Sequence, residues 1–386
     1  MTEETRLIHS GLAETPLART VGPPIQRGST VLLPNAAALY DDAAHLTYGR
    51  QGLAAQSALM AALADLEQAE AVTLYPSGLA ALTGAMLAVL KAGDEVLVVD
   101  TIYKPTRRFC DAVLVRYGVK VTYYVPSLGP ADLMALCGPA TRLIVLETPG
   151  SLSFEMQDVP GIAAAAHARD ILTLIDNTWA AGLLFKPLDH GVDISVQALT
   201  KYVGGHSDVF MGSVAVRDRS LVRAMDDGVL HIGWAVSPDD AYQMLRGLRT
   251  LATRMARHDQ SGRHIARWLA ERPEVAEMRH PALPGCPGHE IWRRDYSGAC
   301  GLFAFTLKPA PDAATAAFLD ALKVFGLGFS WGGFESLAID CDPQLRCRAD
   351  DDRGNGALIR LHIGLEDPAD LIADLTGALD AWRSLA

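Results

Sequence analysis

Positive charge is in short supply: 34 Lys and Arg stand against 45 Asp and Glu, for a net charge of −11. Nucleic acids and anionic membranes are gripped by clustered basic side chains, so neither is an expected partner. A small basic pocket for a single phosphate remains compatible with this balance. Long hydrophobic runs are also missing. The longest largely apolar stretch, LAALTGAMLAVL (79–90), is too short to span a bilayer and is interrupted by Thr83 and Gly84. The first twenty residues lack the basic start and apolar run of a secretory signal. Cysteine is sparse, at positions 110, 137, 286, 300, 341 and 347, with no CxxC pair. That spacing argues against a disulfide framework and predicts reduced, buried thiols. Histidines 258, 264, 280 and 289 show no metal-ligand spacing such as H-E-x-x-H, so no metal is expected. No internal repeat or low-complexity tract is present. What remains is the profile of a soluble, cytoplasmic protein.

The composition supplies a large core: 49% of residues are hydrophobic and 20% charged. At about 150 residues per domain, the length predicts two or three domains. Residues 1–52 carry Pro16, Pro23, Pro24 and Pro34 with little periodicity. They read as an arm that packs on something else, such as a neighbouring subunit. From residue 53 the pattern changes. Helix-forming stretches at 53–69 and 77–91 flank AVTLY (71–75). Short runs rich in Val, Ile and Leu follow at 95–100, 120–125, 143–148, 171–176, 194–199 and 213–218. Strands apolar on both faces and alternating with helices predict a mostly parallel sheet in a large α/β domain, residues 53–244. A long, broken helix is expected over 240–271. Strands at 300–307, 336–339 and 357–363, with helices at 313–326 and 369–385, predict a smaller α+β domain over 245–386.

Two titratable residues sit just past strands of the large domain: Asp176 ends ILTLID, and Lys201 follows ISVQALT. Ligands of open α/β sheets collect at the carboxyl ends of strands, so both side chains are placed to face one ligand. A buried Lys there has a lowered pKa, as a Schiff-base nucleophile needs. A carboxylate in the same pocket suits a pyridinium nitrogen. Taken singly, Lys201 reads equally well as a side chain reaching solvent and Asp176 as a turn cap; the pair is what carries weight. LYPSGLAAL (74–82) reads as strand, tight turn and helix, where the amides of Gly78 and Leu79 favour an anion. Ser-Gly before a helix is also a common cap. Thr200 adds a possible hydroxyl donor. GLGFSWGG (326–333) lacks the G-x-G-x-x-G spacing and lies outside a βαβ unit, so a dinucleotide loop is not expected there.

The stretch from Asp176 through NTWAAGLLFKPLDHGVDISVQALTKYVGGHSDVFMG (177–212) resembles the lysine-bearing signature of the Cys/Met-metabolism enzymes that use pyridoxal 5'-phosphate. The resemblance extends through LTYGRQG (46–52), YPSGLAAL (75–82), TIYKPTRRF (101–109), ETPGSLSFEMQDVP (147–160), FSWGGFESL (329–337) and IRLHIGLED (359–367), in the expected order. It implies the type I fold of such enzymes, with a seven-stranded sheet. DNTWAAGLLFKPLDHG (176–191) and SWGGFESL (330–337) look most like the β-lyase branch. Ala198 stands where many members carry a phosphate-binding Ser, a departure that branch shares.

The resemblance implies that Lys201 forms the Schiff base and moves protons. It also implies that Asp176 pairs with the ring nitrogen and that Tyr103 stacks on the ring. Gly78, Leu79 and Thr200 are implied to hold the phosphate. Tyr48 and Arg50 are implied to reach a neighbouring subunit's phosphate, with Tyr48 also near substrate. Arg360 is implied to grip the substrate carboxylate, with Ser330 and Trp331 alongside. A planar guanidinium suits that task because it makes two charge-assisted bonds. Tyr48 and Arg50 lie two apart, so extended chain would point them the same way. A partly ionised Tyr103 phenol is expected to take the substrate's ammonium proton. The implied reaction is β-elimination of cystathionine in methionine biosynthesis, by a homotetramer of active-site-sharing dimers. Three alternatives stay open: cysteine desulfhydration, γ-elimination or γ-replacement on the same scaffold, and a catalytically inactive cofactor-binding scaffold.

Overall fold

The computed structural model describes residues 1–10, 20–41, 46–348 and 356–386. Pro16, cited above for the arm, lies outside them. Seven strands form one sheet: β1 (Ala71–Tyr75), β2 (Glu95–Val99), β3 (Lys120–Tyr124), β4 (Thr141–Glu147), β5 (Leu172–Asp176), β6 (Ile194–Ala198) and β7 (Gly212–Val216). Their order is β1-β7-β6-β5-β4-β2-β3. Strands β3, β2, β4, β5 and β6 run parallel, and β7 is antiparallel to both its neighbours. The all-apolar reading of these runs is met by burial: β2 and β7 are buried at every residue. Branched side chains suit such two-sided burial, since they pack on the pleat with little loss of rotamer freedom.

Five further strands form a second sheet, ordered β10-β11-β12-β9-β8: β8 (Val275–Arg279), β9 (Leu302–Leu307), β10 (Gly326–Leu327), β11 (Leu337–Asp340) and β12 (Leu358–His362). Its core draws on Phe303, Phe305 and Phe318 and the closing helix Pro368–Arg383. The expected long helix is broken at Thr250, into Pro238–Arg249 and Leu251–Ala270.

Four expectations need correction. The helix expected over 313–326 stops at Ala321. The Asp374 carboxylate accepts the amides of Lys323, Val324 and Phe325 there, replacing helical partners and turning the chain into β10. Strands β8 and β10 were not expected, because one lies at an edge with a half-polar pattern and the other has two residues. The arm packs in part on its own chain. Glu3–His9 is a helix that buries Leu7 against its own chain, with Glu3 bonded to Lys186. The thiols form no disulfide, but Cys347 is exposed rather than buried.

Candidate active site

Strands β4, β5 and β6 end side by side and deliver Glu147, Asp176 and the turn that carries Lys201. Glu147 and Asp176 are register partners. One cavity is lined by Gly78, Leu79, Tyr103, Glu147, Asp176, Thr178, Thr200, Lys201, Ser330, Trp331 and Arg360, among others. The structure therefore brings together nine of the expected site residues, from both sheets.

Lys201 is anchored by a tight turn, its amide donating to the Ala198 carbonyl at 3.0 Å. Its Nζ donates to Ser330 Oγ at 2.9 Å and lies 5.4 Å from the Trp331 ring centre. Burial, and then the Arg360 cation, lower its pKa to about 8, while Asp176 pulls the other way. Asp176 is buried, and burial pushes its pKa upward. The bonds from Thr178 and the charge of Lys201 oppose this. Arg360 rises from β12 and is 6% exposed. Its Nη2 donates to the carbonyls of Phe329 and Ser330, at 3.0 and 3.4 Å. Among the described residues no carboxylate pairs with it, so a buried cation faces the cavity without a counter-charge. A carboxylate ligand would supply one.

The helix Gly78–Val89 begins at the cavity wall. Ser77 caps it, Oγ accepting from the Ala80 amide at 3.1 Å. The first-turn amides of Gly78 and Leu79 have no intrahelical acceptor and open on the cavity. A Cβ at position 78 would lie 2.3 Å from that of Ala198, so only glycine lets the helix start sit this close to β6. The Thr200 hydroxyl is engaged in the chain itself: it donates to the Met211 carbonyl and accepts the Met211 amide, at 3.2 and 3.0 Å.

Tyr103 lines the cavity and is 43% exposed, its amide donating to Glu147 Oε2 at 2.7 Å. The expected partial ionisation of its phenol is not supported by the chain's own groups. Burial first, then Asp176 and Glu147, push its pKa up, and only Arg360 opposes them. Tyr48 and Arg50 do not line this cavity; both are exposed. Nor is the chain extended between them as expected, because Gly49–Gln51 is a 3-10 turn. They still lie side by side, with the Arg50 guanidinium 5.5 Å from the Tyr48 ring centre.

Thr178 and Glu147 are among the cavity residues that sequence reasoning missed. Thr178 orients Asp176: its amide and hydroxyl both donate to Oδ1, and the hydroxyl accepts the Ala198 amide at 2.9 Å. A Thr two residues after a strand-ending Asp is the signal, since Asp side chains bond to backbone two residues on. Glu147, at the end of its own strand, offered the same cue as Asp176. Burial and the neighbouring Asp176 push its pKa well up.

Residues 4–380 match the family described as Cys/Met metabolism PLP-dependent enzymes. The chain belongs to that family. It is 48% identical to a Rhizobium johnstonii protein provisionally named cystathionine β-lyase, covering 96% of this chain and 94% of the relative. It is 41% identical to the cystathionine β-lyase of Escherichia coli K12, covering 96% of each. Among solved structures, the cystathionine γ-lyase of Lactobacillus plantarum complexed with L-serine superposes with a TM-score of 0.91 at 31% identity, covering 99% of this chain and all of the other.

The cavity fits the cofactor of this family. An amine of lowered pKa stands ready for an aldehyde, and a buried carboxylate shares its pocket. Two free helix-start amides behind a glycine suit a phosphate. Among the described residues no cluster of metal-binding side chains occurs, and no helix is long and apolar enough to cross a membrane.

Proposed function

We propose that this chain cleaves the Cβ–S bond of L-cystathionine, giving homocysteine, pyruvate and ammonia, as a step of methionine biosynthesis. The observation that carries the reading is the shared cavity. It sets the Lys201 amine, the Asp176 carboxylate and the uncompensated Arg360 cation around one space, in a chain 41–48% identical to proteins named for this reaction. Pyridoxal phosphate, when bound, supplies the electron sink that makes a substrate α-proton removable and a β-substituent labile.

The chain's own residues do the rest. Arg360 holds the substrate α-carboxylate; its Nη2 is pinned by two carbonyls, so the fork is aimed before substrate arrives. Lys201, its pKa lowered to about 8, takes the α-proton and returns a proton to the departing sulfur. Asp176, fixed by Thr178, would hold the proton on the cofactor's ring nitrogen. Gly78 and Leu79 offer their amides to the phosphate, with Thr200 beside them. Tyr103 would hold the cofactor ring by stacking, with Ser330 and Trp331 lining the substrate side of the same cavity. Tyr48 and Arg50, exposed and outside their own chain's cavity, complete a neighbouring subunit's site. Their exposure is what site-sharing dimers require; the tetramer of such dimers and the cytoplasmic location are proposed from the family resemblance alone.

The likeness to a γ-lyase structure keeps γ-elimination as the second reading. Product analysis with purified protein and cystathionine decides between them. Pyruvate with homocysteine supports the proposal; 2-oxobutyrate with cysteine overturns it.

A further inference from the structure

Behind Lys201 lies a cluster of rings that the reaction scheme does not use. The ring of Tyr202 is 5.2 Å from His258 and 5.8 Å from His362, and the two imidazoles are 5.3 Å apart, centre to centre. Both histidines are buried, and neither lines the cavity. Burial lowers their pKa values to about 4 and about 3, so at neutral pH each ring carries one proton. A neutral imidazole has one donor and one acceptor nitrogen, and its partners say which is which. His258 Nδ1 lies 2.8 Å from the Ile363 carbonyl and must donate to it. Its Nε2 is then a buried lone pair without a partner.

His362 Nε2 lies 3.1 Å from the Gly332 amide nitrogen, whose N–H points at it, and 3.1 Å from the Gly333 carbonyl. A proton on Nε2 would serve Gly333 but oppose the Gly332 N–H. It would also leave Nδ1, which has no partner, as a second bare lone pair in the cluster. A proton on Nδ1 lets Nε2 accept from Gly332. The Gly333 carbonyl then faces a lone pair, and Nδ1–H has no acceptor within hydrogen-bond distance. In either tautomer Nε2 holds the Gly332–Gly333 backbone, accepting from the Gly332 amide in one and donating to the Gly333 carbonyl in the other.

Gly332 is where this reaches the site. It has φ +84°, and a Cβ there would lie 2.8–2.9 Å from backbone atoms of Lys201 and Tyr202. It is seated on the lysine's own backbone, two residues after the serine that accepts from Nζ. We propose that His362, through its bond to the Gly332 amide, is a positioning residue that holds the Ser330–Trp331 segment against the Lys201 amine. The role rests on the reading of Lys201 as the reacting amine.

His362→Gln places an acceptor oxygen where Nε2 sits, whereas His362→Asn reaches only the Nδ1 position. With cofactor-loaded full chain and cystathionine, kcat falls about tenfold in the Asn variant with KM within about twofold, and the Gln variant stays within about threefold of wild type. Adding Ser330→Ala to the Asn variant costs nothing beyond Ser330→Ala alone, because both remove one contact. A readout independent of turnover is the rate at which cofactor-free full chain takes up added pyridoxal phosphate at Lys201. It falls in the Asn variant and recovers in the Gln variant. Equal behaviour of Gln and Asn, or losses that multiply in the double variant, overturn the proposal. Wild-type protein that leaves cystathionine untouched while the uptake difference stands refutes the substrate reading and supports this one.

Discussion

The pH at which Lys201 becomes reactive follows from its surroundings. An exposed lysine, with a pKa of about 10.4, has roughly 1 amine in 2,500 neutral at pH 7. Burial and Arg360 bring Lys201 to about 8, so its neutral share at pH 7 rises to about one tenth, a gain of roughly 200-fold. The rate at which cofactor-free chain captures pyridoxal phosphate should therefore climb about tenfold per pH unit below 8 and level off above it. Arg360→Gln removes a cation that lowers this pKa, so the levelling point moves up. Asp176→Asn removes the carboxylate that raises it, so the point moves down. Stopped-flow absorbance from pH 6 to 10 measures all three curves. A wild-type rate still climbing steeply beyond pH 9.5, or two substitutions that shift the curve the same way, would refute the reasoning.

Gly78→Ala drives a methyl group to 2.3 Å from the Ala198 Cβ. The forced shift costs about 1–3 kcal/mol and pulls the helix-start amides from the phosphate. A lower melting temperature and weaker cofactor binding by titration should appear together. Thr178→Val removes a hydroxyl bond to Asp176 and the acceptor for the Ala198 amide. The expected result is a fall in kcat of about tenfold at little changed KM, read by steady-state kinetics. His258, His280 and His362 have folded pKa values of about 4, 4 and 3, below the unfolded value near 6.5. Their stabilising contribution is thus present above pH 6.5 and is lost as pH falls toward 4 and 3. At pH 5 the loss is on the order of 2 kcal/mol per histidine. Denaturant unfolding at pH 7 and pH 5 measures it, and replacing His280 by Phe should shrink the difference.

Much of the large sheet was legible because strands such as β2 and β7 are buried at every residue, and runs dominated by Val, Leu and Ala leave little ambiguity. Lys201 and Asp176 were legible for the same reason: charge at the end of an apolar strand stands out. The edge strand β8 was hidden because only its last two residues are buried, which leaves no clear alternation. The end of the helix at Ala321 was hidden because Asp374, 53 positions on, supplies the competing acceptor. Local propensity carries no record of such a partner. Thr178 and His362 act through bonds to Asp176 and Gly332, and no periodicity marks bonds of that kind. Glu147 and Asp176, which push the Tyr103 pKa up, lie far from it in sequence, so their influence was not legible there.

Reduction of cofactor-loaded protein with borohydride, followed by digestion and peptide mapping, tests the central claim most directly. The tag should fall on the side-chain nitrogen of Lys201 and on no other lysine. A tag on a different residue, or none in protein saturated with pyridoxal phosphate, would contradict the account.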